Sequence, residues 1–198
     1  MLVSFDARLA YIAMTKCAST AIETALRPHC EIVYSRKPGL THMTVRRYRE
    51  HVVPYLRSTG APEIETCCQM RHPVDWLGSW YRYLSGPGHA GDELSTAGES
   101  FAGFAAGYLE GTNAARRRFG RPWDTVRGID GKLAVDHVYR YEDMPRFLGF
   151  LQDRLGRPLE VERINVSPEG DLALPRALRA RLESFFALEL EIFESQTR

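Results

Sequence analysis

One lysine and two hydroxyl residues stand in a short turn between an apolar run and an amphipathic run. The turn, Thr15–Thr20, contains Lys16, Ser19 and Thr20 and precedes Ile22, which begins the apolar face of a helix. A strand that leads through a tight turn into a helix brings free backbone N–H groups and the positive helix end to one place. The turn therefore predicts a site for an anion such as phosphate or sulfate.

A structural role for the same turn is the alternative, because Ser or Thr at a helix start is commonly only a cap. The two glycines followed by Gly-Lys-Ser/Thr that characterise the Walker loop are absent from the segment. Nothing in the turn therefore requires a nucleoside triphosphate with magnesium.

An arginine and a serine follow a second apolar run. Ile64–Met70 has the composition of a buried strand, and Pro73 suits the first turn of the helix that follows. Arg71 stands at the carboxyl end of that strand, where ligands collect in open α/β sheets, and Ser79 lies two turns into the helix. An arginine and a serine placed in this way can hold one phosphate through charge-assisted hydrogen bonds.

These stretches resemble the cofactor motifs of the sulfotransferases that use 3′-phosphoadenosine 5′-phosphosulfate (PAPS). Thr15–Thr20 resembles the 5′-phosphosulfate loop, Pro-Lys-x-Gly-(Ser/Thr)-(Ser/Thr), and Arg71–Pro73 with Ser79 resembles the 3′-phosphate motif. Tyr139–Met144 resembles a later strand that ends in Tyr-Glu-Asp-Leu. The motifs stand in the family's order over roughly Leu9–Leu155, and the chain looks closest to the short bacterial and carbohydrate-type branch.

The resemblance implies a P-loop-like sulfotransferase fold and transfer of the sulfuryl group of PAPS to a hydroxyl or amine without a metal. It implies that Lys16 stabilises charge on the departing phosphate. It assigns cofactor binding to the residues of the loop and to the arginine motif, namely Lys16, Cys17, Ala18, Ser19, Thr20, Ala21, Arg71 and Ser79. The acceptor is expected to be a small molecule or a carbohydrate, with contacts from 85–130.

His42 is the candidate general base for the acceptor. It follows Thr41 and lies between the two phosphate motifs, the order in which the cytosolic sulfotransferases carry their catalytic Thr-His. A base must lie within hydrogen-bond reach of the proton that it removes. The alternative for His42 is a loop histidine that caps a helix or faces solvent.

Two positions depart from the family's loop: Thr15 replaces the common Pro, and Ala18 replaces the common Gly. Glycine tolerates a positive φ, whereas alanine tolerates it poorly. We therefore expect Ala18 to adopt an ordinary helical or bridge conformation.

Two other functions remain open from the residues alone. A kinase-like enzyme that transfers phosphate from ATP-Mg would use the same strand, turn and helix, with Asp75 or Asp143 as the nearest magnesium ligand. A protein with the PAPS fold that binds without turnover is the third alternative, and Ala18 is the feature that favours it.

The composition indicates one α/β domain. A chain of 198 residues can bury a core, and we expect one domain over 1–198 with a variable insertion at about 85–130. The 26 basic and 25 acidic side chains leave a net charge of +1, which argues against broad nucleic-acid binding. No run approaches the roughly 20 apolar residues of a membrane span, and Met1–Ala10 does not have the pattern of a secretory leader. We therefore expect a cytoplasmic location, with reduced cysteines; the oligomeric state is open.

Strands alternate with helices along the chain, which predicts a mostly parallel central sheet flanked by helices. The predicted strands are Leu2–Phe5, Leu9–Met14, Glu31–Tyr34, Ile64–Met70 and His137–Arg140. The predicted helices are Ser19–Leu26, Thr44–Leu56, Val74–Leu84, Phe101–Leu109, Met144–Leu155 and one long helix over Pro175–Glu194.

Overall fold

A five-stranded mixed sheet forms the centre of the fold in the computed structural model, which describes residues 1–162 and 170–196. The strands are β1 (Leu2–Ser4), β2 (Leu9–Tyr11), β3 (Ile32–Val33), β4 (Glu65–Met70) and β5 (His137–Arg140), in the spatial order β3-β1-β2-β4-β5. The α/β prediction is confirmed.

The direction of the strands corrects the prediction of a mostly parallel sheet. β1 pairs antiparallel with β2 and with β3, whereas β2, β4 and β5 are parallel. The turn between β1 and β2 is too short for a crossover, and a short turn joins only antiparallel neighbours. β1 and β2 therefore form a hairpin around Asp6, and only one half of the sheet is parallel.

The helices of the described residues agree with most predicted segments. They are α1 (Ser19–Leu26), α2 (Pro38–Thr41), α3 (Val45–Arg47), α4 (Val53–Ser58), α5 (Pro73–Leu84), α6 (Phe101–Glu110), α7 (Ala114–Phe119), α8 (Pro122–Val126), α9 (Met144–Leu155), α10 (Arg176–Phe185) and α11 (Ala187–Ser195). α7 and α8 lie in a stretch whose sequence shows little periodicity, because helices of one or two turns are too short to establish a period. No helix in the described part of the chain is both long and apolar enough to cross a bilayer.

The helix predicted over Thr44–Leu56 contains a π-helical segment, Tyr48–Val52, between α3 and α4. The helix begins as expected, because the Thr44 hydroxyl accepts a hydrogen bond from the N–H of Arg47 at 3.3 Å. Pro54 explains the π segment: it has no N–H, and its ring clashes with the carbonyl one turn earlier. The proline widens the helix without ending it.

Two units are distinguished by their internal contacts. The first contains Met1–Met70 and the segment that begins at Pro122, and it carries the sheet. Its core packs α1 and α9 on β2 and β4 through buried Tyr11, Ile22, Cys67, Phe147 and Leu151. Burial of these apolar side chains supplies the main stabilisation of the unit.

The second unit contains Arg71–Arg121 and the C-terminal segment, and its described residues form helices and loops. Trp76, Tyr108 and Phe186 are among its fully buried side chains. The predicted single helix over Pro175–Glu194 is two helices that meet at Phe186. Phe185 and Phe186 both contact the Tyr108 ring, at centroid distances of 6.1 and 6.0 Å. Successive residues on a straight helix point about 100° apart, so the break allows both rings to reach the same partner.

Candidate functional site

The backbone between β2 and α1 has a positive φ at two of three successive residues. Lys16 has a φ of 63° and Ala18 a φ of 53°, while Cys17 between them has a negative φ. Backbone that alternates between right- and left-handed conformations turns successive N–H groups towards a common concavity, which is a recurrent anion-binding geometry. Positive φ at Lys16 and Ala18 is one component of that geometry, and anion binding at this turn stays a prediction.

The first turn of α1 supplies further backbone N–H donors directly after Ala18. Ala18 is the N-cap and has no side-chain acceptor, and the N–H of Ile22 is bonded to the Ala18 carbonyl at 3.2 Å. Throughout 1–162 and 170–196, no acceptor is bonded to the N–H groups of Ser19, Thr20 or Ala21. The capping alternative is wrong for this turn, because neither hydroxyl residue caps the helix.

The conformation of Ala18 corrects the expectation of a helical or bridge geometry. Its φ of 53° and ψ of 24° lie in the left-handed region. That region costs a non-glycine residue about 1–2 kcal/mol, so the surrounding structure must hold Ala18 there. The alanine occupies the backbone conformation that glycine would adopt without strain.

His42 is fixed beside this loop. It is the residue that ends α2, and its Nδ1 lies 2.8 Å from the carbonyl oxygen of Ala13, two residues before Thr15. A carbonyl oxygen only accepts, so Nδ1 carries the proton and donates it. In the neutral ring Nε2 is then the basic nitrogen. The structure thus brings His42 to the loop in the tautomer that a general base acting through Nε2 requires.

The Met1 amino group was not identified from the sequence, and it helps to position His42. It donates to Glu23 Oε1 at 2.6 Å, to the Thr41 carbonyl at 2.6 Å and to the Tyr34 carbonyl at 3.2 Å. Burial lowers the pKa of this amino group, while Glu23 acts in the opposite direction. These bonds connect α1 to Thr41, the residue before His42, and no local sequence pattern signals them.

The carboxyl ends of β2, β4 and β5 lie at one edge of the sheet, because these strands are parallel neighbours. The Lys16 loop follows β2, and Arg140 is the last residue of β5, opposite Met70 at the end of β4. Arg140 is a further cation at this edge that sequence reasoning did not single out. Its position at the end of a parallel strand is the signal that identifies it.

Arg71 and Ser79 belong to the second unit. Arg71 is half-buried, and Ser79 is buried on α5, where 2% of the residue is exposed. Pro73 begins α5 as predicted, with His72 as its N-cap. The His72 ring meets the Phe193 ring edge to face, with centroids 5.4 Å apart, so this histidine braces the start of the helix. The binding roles of Arg71 and Ser79 stay predictions.

The cysteines are buried or half-buried thiols without disulfides. Burial raises the pKa values of Cys67 and Cys68 well above the ordinary range, so neither is a reactive thiolate at neutral pH. Among the residues described, no group of three or more His, Cys, Asp or Glu side chains is arranged to hold a metal ion.

The structure therefore brings the loop from Lys16 to Ala21 and His42 together in the first unit, and it places Arg71 and Ser79 in the second. Lys16 and Ala18 supply the positive φ values, and His42 supplies a basic ring nitrogen. No family model, no curated protein and no solved structure matches this chain.

Proposed function

We propose that this protein is a sulfotransferase that moves the sulfuryl group of PAPS to an acceptor hydroxyl or amine. The observation that carries the proposal is the left-handed backbone at Lys16 and Ala18, directly before the start of α1, which has no side-chain cap. This backbone supports a row of N–H donors for a phosphosulfate group, and it occurs in the segment that resembles the family's donor loop. The position of His42 adds support from outside that segment.

The loop binds the phosphosulfate and stabilises the leaving group. Its N–H groups from Cys17 to Ala21 hold the phosphosulfate oxygens, and the start of α1 adds the positive end of its dipole. Lys16 places a full positive charge beside the oxygen that leaves, where negative charge grows as the S–O bond breaks. Such prearranged charge stabilisation is the main contribution a protein makes to this kind of transfer.

His42 acts on the attacking side. The acceptor oxygen forms a bond to sulfur, and its proton passes to Nε2 of His42 while Nδ1 keeps its bond to the Ala13 carbonyl. The products are a sulfate ester and adenosine 3′,5′-bisphosphate, with the proton held on the imidazolium until solvent removes it. A base in this role contributes about 10²–10⁴-fold to the rate.

The proposal extends to Arg71 and Ser79 through the resemblance alone, which assigns them to the 3′-phosphate. Arg71 offers the fork of donors that phosphate oxygens accept, and Ser79 offers one hydroxyl. Their contribution is testable separately from that of the loop, because an analogue without the 3′-phosphate needs neither residue.

The proposal is tested by calorimetric titration with adenosine 3′,5′-bisphosphate, with adenosine 5′-phosphate and with ATP-Mg. We expect the bisphosphate to bind most tightly and Arg71→Ala to abolish its advantage over the monophosphate. Arg57→Ala, which removes an exposed arginine on α4, is the matched control and should leave binding unchanged.

Tighter, magnesium-dependent binding of ATP would refute the proposal in favour of a kinase-like phosphoryl transferase. Bisphosphate binding without sulfuryl transfer to any acceptor in a broad screen would favour the protein that binds without turnover. Absence of bisphosphate binding to the folded wild-type protein would refute both the sulfotransferase and the PAPS-fold binding protein.

A further inference from the structure

Basic residues are concentrated on both sides of His42. The segment from Arg36 to Arg49 contains five Lys or Arg side chains and no Asp or Glu. α2 is a single turn that begins after Lys37 and ends before His42, and hydrogen bonds from the N–H groups of Thr41 and His42 to Lys37 and Pro38 close it. Basic residues therefore lie before and after the proposed base, and the hydrogen bonds of α2 fix the backbone between Lys37 and His42.

Two of these cations are neutralised within the first unit. Arg46 Nε lies 2.8 Å from Glu50 Oε1, and Arg49 Nη2 lies 3.5 Å from Asp136 Oδ1. Arg36, Lys37 and Arg47 are exposed, and within the described ranges none of the three has a carboxylate partner. We call these three residues the basic rim.

Arg36, the first residue of the basic rim, has a left-handed backbone conformation. Arg36 has a φ of 71°, a left-handed value that is rare for a residue with a long side chain. Strain of this kind is retained where the surrounding structure imposes it, and it concentrates at binding and catalytic sites. Arg36 is the third non-glycine residue near the candidate site with this conformation, after Lys16 and Ala18.

The rim is close enough to His42 to act on a ligand bound there. Lys37 and His42 flank the four residues of α2, and this spacing of five positions corresponds to about 7.5 Å along a helix axis. That separation is comparable to the Debye length of about 8 Å at physiological ionic strength, so salt does not fully screen these charges. Lys37 and the adjacent Arg36 therefore contribute positive potential at His42, and Arg47 adds a third unpaired charge five positions after it.

Building on the proposed function, we propose that the acceptor is acidic: a hydroxyl compound that carries carboxylate, sulfate or phosphate groups held by Arg36, Lys37 and Arg47. The donor does not need these cations, since its negative charges meet the loop, Lys16 and the predicted 3′-phosphate residues. Unpaired cations next to the base attract an anionic acceptor and reject a cationic one.

The test uses a fluorescent oligogalacturonate and its methyl ester, which share one sugar skeleton and differ in charge. Anisotropy titrations compare the wild type, the rim variant Arg36→Gln/Lys37→Gln/Arg47→Gln, and a control with the same loss of charge, Arg57→Gln/Lys132→Gln/Arg176→Gln. The control residues are exposed and lie on α4, in the turn before β5 and on α10. Each protein is also titrated with adenosine 3′,5′-bisphosphate.

We expect the wild type and the control to bind the acid form more tightly than the ester, and the rim variant to bind the acid form about tenfold more weakly. Bisphosphate affinity should be equal in all three proteins. Equal binding of acid and ester, or an equal loss in the control, would overturn the inference. A loss of bisphosphate affinity in the rim variant would also overturn it, because the rim would then serve the nucleotide. If the wild type binds no bisphosphate but the acid form depends on the rim, the proposed function fails and the acid-binding rim stands.

Discussion

Replacing Ala18 with glycine should stabilise the protein, although glycine ordinarily weakens a helix. The φ of 53° at Ala18 costs alanine about 1–2 kcal/mol, and glycine adopts this region without that penalty. Glycine also gives the unfolded chain more conformational freedom, which costs about 0.5–1 kcal/mol. The difference predicts that Ala18→Gly raises the free energy of unfolding by about 0.5–1 kcal/mol.

Ala25→Gly is the matched control, because Ala25 lies inside the same helix with ordinary helical backbone. Glycine at an interior helical position costs about 1 kcal/mol, so the two variants should shift stability in opposite directions. Urea unfolding followed by circular dichroism measures both midpoints. A lower midpoint for Ala18→Gly, similar to that of Ala25→Gly, would refute the left-handed conformation at Ala18 and with it the concave row of N–H groups.

The same pair of variants separates stability from binding. Since Ala18→Gly keeps the backbone geometry that the anion site requires, the affinity for adenosine 3′,5′-bisphosphate should be retained or improved. A loss of affinity with normal stability would mean that the Ala18 methyl group itself supports the site.

Three further predictions follow from the described contacts. His42→Gln should lower sulfuryl transfer by about 10²–10⁴-fold in single-turnover assays and leave bisphosphate affinity unchanged, because the base acts on the acceptor proton; unchanged transfer would exclude His42 as the base. A hydrogen bond from Arg154, and a smaller contribution from His137, lower the pKa of Glu65. The ionised Glu65 side chain therefore stabilises the fold above its ordinary pKa of 4.5, and this stabilisation is lost as pH falls through the lowered value. Glu65→Gln should therefore reduce the urea midpoint at neutral pH and have little effect at strongly acidic pH; an equal effect at both would contradict this linkage. Gly149→Ala, with open space around the new Cβ in α9, should raise stability by about 0.5–1 kcal/mol, whereas Gly78→Ala should gain less because its Cβ would lie 2.7 Å from Leu172 Cδ1; equal gains in thermal unfolding would contradict this contact.

The sequence was sufficient for the elements whose signals are local. α1, β5 and α9 have the predicted bounds, because their signals are local: a turn and apolar periodicity for α1, a short strand-type run for β5, and apolar periodicity with Gly156 at the end of α9. The Lys16 loop was identified in the same way, since residue types and spacing suffice to place a cation and hydroxyl groups after a strand.

Strand direction and helix continuity were decided by packing. The antiparallel pairing of β3 with β1 depends on residues about 30 positions apart, such as Leu2 and Val33. At the break, Phe186 contacts Tyr108, which lies far away in the chain. Neither contact leaves a periodic signal in a short window of sequence.

The geometry of the candidate site was also decided only in the tertiary structure. Lys16 and Ala18 adopt left-handed backbone against their local preference, so no propensity predicts it. The tautomer of His42 is set by the Ala13 carbonyl, 29 residues away, and its position by a Met1–Thr41 bond that spans 40 residues. Residue types and spacing establish which chemical groups are present and their order along the chain. Only long-range contacts decided their orientation, because the hydrogen bonds that orient them join segments that are distant in sequence.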